Sequence, residues 1–121
     1  MPPSRRSPSP DVAALRVAAE GVVRQLGGQA REQARLIRSG AAGELTEADV
    51  ARMAADIITT ARARLEAAVP DLQSQHTDPA LQATRREADQ LMAAAEREVD
   101  AGLRKAWRTR QEKAGGRWWR H

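Results

Sequence analysis

The sequence predicts an all-α protein of three amphipathic, alanine-rich helices, a helical hairpin plus a long overhanging third helix, and three observations carry that prediction. Ala, Glu, Lys, Leu and Arg supply 63 of the 121 residues, a composition typical of long or coiled helices. Apolar side chains recur every three or four positions in three separate segments. Each segment opens on a helix-start signal and closes at glycine or proline.

Residues 1–8 combine Pro, Ser and the basic pair Arg5-Arg6 without apolar periodicity, and are expected to form a flexible, disordered N-terminal arm. Ser9-Pro10-Asp11 then reads as an N-cap, a first-turn proline and a dipole-favouring acid. The helix over 9–40 carries the stripe Val12, Leu15, Ala19, Val22, Leu26, Ala30 and Ile37 and stops at Gly40. Gly27-Gly28 inside it costs about 1 kcal/mol per glycine relative to alanine and predicts a kink or a break.

The second helix, 47–69, starts at Thr46-Glu47-Ala48-Asp49, a capping box with Asp in the place of Glu or Gln. Its stripe is Val50, Met53, Ile57, Ala61, Leu65 and Ala68, and Pro70 ends it. Asp78-Pro79 starts the third helix, 79–113, with the stripe Leu81, Ala88, Leu91, Ala95, Val99, Leu103 and Ala106. Gly115-Gly116 is its expected end, leaving a helical domain of 9–114 and a short basic, Trp-containing C-terminal tail of 115–121. At about 1.5 Å per residue the third helix is about 52 Å long and the second about 34 Å, so the third overhangs. Val99, Leu103 and Trp107 lie on that overhang and need the first helix, another subunit or a partner to cover them.

The core is thin. Phe and Tyr are absent, and Leu, Val and Ile together number 19. A lone subunit is therefore expected to be marginal, and a homo-oligomer, with its seams packed as in a coiled coil, is the predicted state.

Most chemistry is excluded by the inventory of residue types. Without cysteine there is no disulfide, thiolate ligand or cysteine nucleophile. The histidines, His76 and His121, stand apart, one in a polar loop and one at the terminus. Glu96 and Asp100 read as an exposed i, i+4 pair screened by Arg97 and Arg104, with Glu98 pointing elsewhere and no histidine at the spacing of bundle metal centres. Gly40-Ala41-Ala42-Gly43 lacks the Lys and Ser/Thr of a phosphate-binding loop. The expectation is a non-enzyme with no catalytic residue, no metal, no cofactor and no small-molecule substrate. No apolar run is long enough to span a bilayer or serve as a secretory signal, which predicts a cytoplasmic protein.

Charge is the stronger signal. Residues 1–40 carry a net charge of +4, residues 41–80 of −4 and residues 81–121 of +4, an alternation suited to aligning helices within or between subunits. Arg86, Arg97, Arg104 and Arg108 fall within about 40° of one another on a helical wheel and form a possible polyanion-binding row. All three tryptophans lie between Arg104 and His121, among seven basic residues and one acid. Trp107, Arg117, Trp118, Trp119 and Arg120 are thus the candidate partner-binding residues, since Trp and Arg dominate interface hot spots.

The expected function is a non-enzymatic assembly or adaptor protein that self-associates and docks a larger protein assembly through its Arg/Trp C-terminus. DNA or RNA binding through the basic arm and tail is the alternative, in which indoles stack on bases and arginines meet phosphates. Reversible binding at a membrane surface is a third and weaker reading. The composition resembles that of many small helical proteins of phages, plasmids and GC-rich bacteria, with no residue-level motif behind the resemblance.

Overall fold

The computed structural model describes residues 10–68 and 78–119, the last five by backbone alone. Three helices make up the fold: α1 (Pro10–Ser39), α2 (Glu47–Ala68) and α3 (Pro79–Trp119). The expected arm at residues 1–8 and the Ser9 cap lie outside the described residues. No helix in the described residues is long and apolar enough to cross a membrane.

The starts of α2 and α3 follow their sequence signals. Thr46 donates its backbone N–H to Asp49 Oδ2 at 2.9 Å, and the Asp49 N–H returns to Thr46 Oγ1 at 3.1 Å, closing the capping box. Asp78 Oδ1 accepts the N–H groups of Ala80 and Leu81 at 2.9 and 3.3 Å, satisfying two donors that have no partner inside α3. At the end of α1, Gly40 takes a left-handed φ of 84°, which only glycine adopts without strain, and donates to the Ile37 carbonyl at 3.2 Å.

Two glycine pairs behave differently from the sequence reading. Gly27-Gly28 does not break α1, which runs as one helix from Pro10 to Ser39. Gly115-Gly116 does not end α3, whose backbone stays helical to Trp119. The physical reason is shared: a glycine in the right-handed region weakens a helix by about 1 kcal/mol but removes no hydrogen bond. The end of α1 comes instead where Gly40 turns left-handed.

The helices pack as an up-down-up bundle. Arg16 near the start of α1 reaches Glu87 near the start of α3 at 3.9 Å, while Arg38 and Thr109, close to where α1 ends, line one groove, so α1 and α3 run parallel. Arg64 of α2 donates to Gln25 of α1 at 2.9 Å, and Arg104 of α3 reaches Glu47 of α2 at 3.8 Å, which makes α2 antiparallel to both. The α1–α3 contact is the most extensive of the three. Leu15, Leu26, Leu65, Leu81, Met92, Leu103 and Val50 are the largest fully buried side chains, and alanines fill the space between them.

This packing corrects several assignments of the apolar stripes. On α3 the buried side chain is Met92, at 1% exposure, and Leu91 is 41% exposed. Both fit a spacing of three or four from Ala88 and Ala95, and only the direction in which α2 packs decides between them. Ala34 is buried where Ala30 is half-buried, Ala54 joins the core, and Ala68 is exposed.

Val99 and Leu103 are buried at 3% and 0% within the single chain, because α1 runs beside α3 as far as Ile37. The overhang therefore starts near Gln111, well after Val99. The case for self-association that rested on uncovered Val99 and Leu103 loses its basis.

Candidate functional site

The end of the bundle at which α1 stops and α2 begins is held to α3 by one aromatic side chain. Trp107 packs against the core, half-buried, and donates its indole N–H to the Leu45 carbonyl at 2.7 Å. One turn further on, the Arg110 guanidinium lies against Gly40, at 2.8 Å from the point where a Cβ would stand. Ile37, Leu45, Trp107 and Arg110 help line a pocket of about 270 Å³, whose far wall is Gln111 and Ala114. Gln111 and Ala114, with Glu112 and Lys113 between them, are all exposed, and the helix runs on to Trp119.

The predicted partner-binding residues thus separate into two groups. Trp107 is committed to the chain's own fold, where it joins α3 to the connection between α1 and α2. Arg117, Trp118 and Trp119 stand on the helical backbone of the extension, but their side chains, like the whole of Arg120, lie outside the described residues. So do His76 and His121.

The arginine row is also divided. Arg86, Arg97 and Arg108 are exposed and make no ion pair among the described residues. Arg104 is half-buried and is held by Asp100 at 3.1 Å and by Glu47 of α2. It works as a clasp between helices, which sequence periodicity alone could not reveal.

Glu96 does not form the exposed pair expected of it. Its carboxylate receives a two-pronged contact from Arg62 of α2, with Nη2 donating to Oε1 at 2.9 Å and Nε against Oε2. The pairing raises the Arg62 guanidinium above its ordinary value, the hydrogen bond to Glu96 being the main cause. Arg85 is shared between two carboxylates, its Nη2 meeting Glu66 and its Nε meeting Asp89 at 3.2 Å, and is likewise raised, chiefly by Glu66. Arg85–Glu66 and Arg104–Glu47 match the opposite net charges of the middle and C-terminal thirds within one subunit, while Arg62–Glu96 pairs the minority charges of the same two thirds.

Among the described residues no three His, Cys, Asp or Glu side chains gather closely enough to hold a metal ion. Comparison with protein-family models, with curated proteins and with solved structures gives no match to this chain.

Proposed function

We propose that this chain is a non-enzymatic adaptor whose three-helix bundle holds out the C-terminal part of α3 as a docking element for a larger protein assembly. The observation that supports this reading is the continuation of α3 past its last tie to the bundle. After Trp107 and Arg110 the helix goes on to Trp119, and residues 111–114 touch no other helix closely enough to be covered. At about 1.5 Å per residue, residues 111–119 project roughly 13 Å. A helical extension that carries Gly115, Gly116, one arginine and two tryptophans has little intrinsic stability. It gains order most readily when a partner buries its indoles, and desolvated Trp and Arg are the residues that contribute most at such contacts.

Docking on protein and binding of nucleic acid predict different salt dependence. Indoles seated in a protein pocket are little affected by ions, whereas arginine–phosphate contacts weaken steeply as salt rises. The experiment compares Trp118→Ala/Trp119→Ala with Arg117→Ala/Arg120→Ala in the full chain, against partners captured from the native host and against DNA and RNA. Loss of the indoles is expected to weaken capture by about 2 kcal/mol or more at every salt concentration while helicity holds. Binding that depends at least as much on the arginines at low salt, or tight binding to DNA or RNA, would favour the nucleic-acid reading. Sedimentation of the same proteins tests self-association.

A further inference from the structure

A second surface, independent of the α3 extension, lies on the side of the α1–α3 seam away from α2. Here a groove of about 370 Å³ runs between the two helices. Its floor is small or aliphatic, with Gly27, Ala30 and Ala34 from α1 and Val99, Gly102 and Ala106 from α3. Charged groups line its edges: Arg31 and Arg38 on α1, Lys105 on α3, and a single carboxylate, Glu98.

None of these four charges forms an ion pair among the described residues. On the α2 side, three seam cations meet carboxylates, while Arg64 meets only the neutral Gln25. Arg62 meets Glu96, Arg85 meets Glu66 and Arg104 meets Glu47 on the α2 side, and Arg16 bridges to Glu87 near the start of the α1–α3 seam. With three cations and one carboxylate at its edges, the groove keeps an excess of positive charge.

Shape and length suit one occupant. Two parallel helices with α2 on one side leave open the position that a fourth helix takes in a four-helix bundle. The α1 wall extends from Val23 to Arg38, about 22 Å, or four helical turns. Alanine and glycine on the floor permit close approach of helix axes, about 8 Å. Leu91, 41% exposed, lies about 20° from Gly102 around α3 and adds an apolar contact toward the start of the helix.

We propose that this groove docks an acidic amphipathic helix of a partner protein, with small apolar side chains on the face that enters and Asp or Glu on its flanks. The apolar floor favours a helix over a nucleic-acid backbone, whose phosphates would gain nothing from Val99 or Ala106. The chain's own residues 1–9 do not fit, since they carry two arginines and no carboxylate. A second copy presenting the same face would bring together two surfaces of like net charge, each with three cations and one carboxylate.

The test uses the full chain and a fluorescent helical peptide of about 18 residues with an Ala/Leu stripe flanked by Glu, beside the same peptide with Lys for Glu. Gly102→Leu adds bulk at the groove from a position where a Cβ meets nothing within 4 Å, and leucine favours the helix; circular dichroism and a thermal melt check that the variant folds. Anisotropy is expected to show binding of the Glu peptide only, weakened about tenfold or more both by Gly102→Leu and by Arg31→Glu/Lys105→Glu. Absence of binding, equal binding of the two peptides, or full binding to Gly102→Leu would overturn the proposal. So would a wild-type dimer that becomes monomeric with Gly102→Leu, which would assign the groove to a second copy.

Discussion

Trp107 and Leu45, 62 positions apart, are joined by a hydrogen bond of 2.7 Å from the indole N–H to the backbone carbonyl. That bond fixes α3 against the connection between the other two helices, at the point where the bundle ends and the extension begins. Trp107→Phe keeps most of the ring surface but leaves the Leu45 carbonyl without its donor, and is expected to cost about 1 kcal/mol in urea unfolding. Trp107→Ala also removes the packing and should cost about 3 kcal/mol. With Trp118 and Trp119 changed to Phe, the remaining Trp107 emission should be blue-shifted and should move red on unfolding.

The Arg62–Glu96 contact predicts a coupled pair. Glu96 is the more buried partner, with 18% of its side chain exposed against 49% for Arg62. Removing the arginine leaves a poorly hydrated carboxylate, so Arg62→Ala should destabilise more than the double change Arg62→Ala/Glu96→Ala. A double-mutant cycle should give a coupling of about 1 kcal/mol, which falls only slightly in high salt. Zero coupling would place the pair among the ordinary surface contacts.

The capping box makes part of the stability dependent on pH. Asp49 accepts the Thr46 N–H, and this bond, with lesser help from the Thr46 hydroxyl and from Arg52, holds its carboxyl below the ordinary value of 3.8. A folded-state value below the unfolded one means that the stabilisation is fully present above the ordinary carboxylate range and is lost as pH falls through the depressed value. The gap in Tm between the wild type and Asp49→Ala should therefore be largest near neutral pH and close in strong acid. A gap that stays constant down to low pH would show that charge plays no part in the cap.

Two glycine substitutions should act in opposite directions. Gly28 sits within continuous helix with open space where a Cβ would stand, so Gly28→Ala should raise stability by up to about 1 kcal/mol. Gly40 has a φ of +84°, so Gly40→Ala should lower it by about 1–2 kcal/mol even though the nearby Arg110 side chain can move aside. Thermal melts of the two variants check both signs.

The sequence by itself determined the helices and two of their starting points, because these depend on interactions between near neighbours. Thr46 meets Asp49 three residues on, Asp78 meets Ala80 and Leu81, and the apolar stripes repeat every turn. Local chemistry does not suffice at Gly27-Gly28 or Gly115-Gly116, where a modest propensity cost suggests a kink or break in the first case and a helix end in the second. Only the tertiary structure decided which helix faces meet. The choice of Met92 over Leu91, the burial of Val99 and Leu103 beneath α1, the pairing of Glu96 with Arg62 and the bond from Trp107 to Leu45 all join residues on different elements. A spacing of three or four permits either neighbour to face inward, and the angle at which a second helix arrives is set by the packing of all three together.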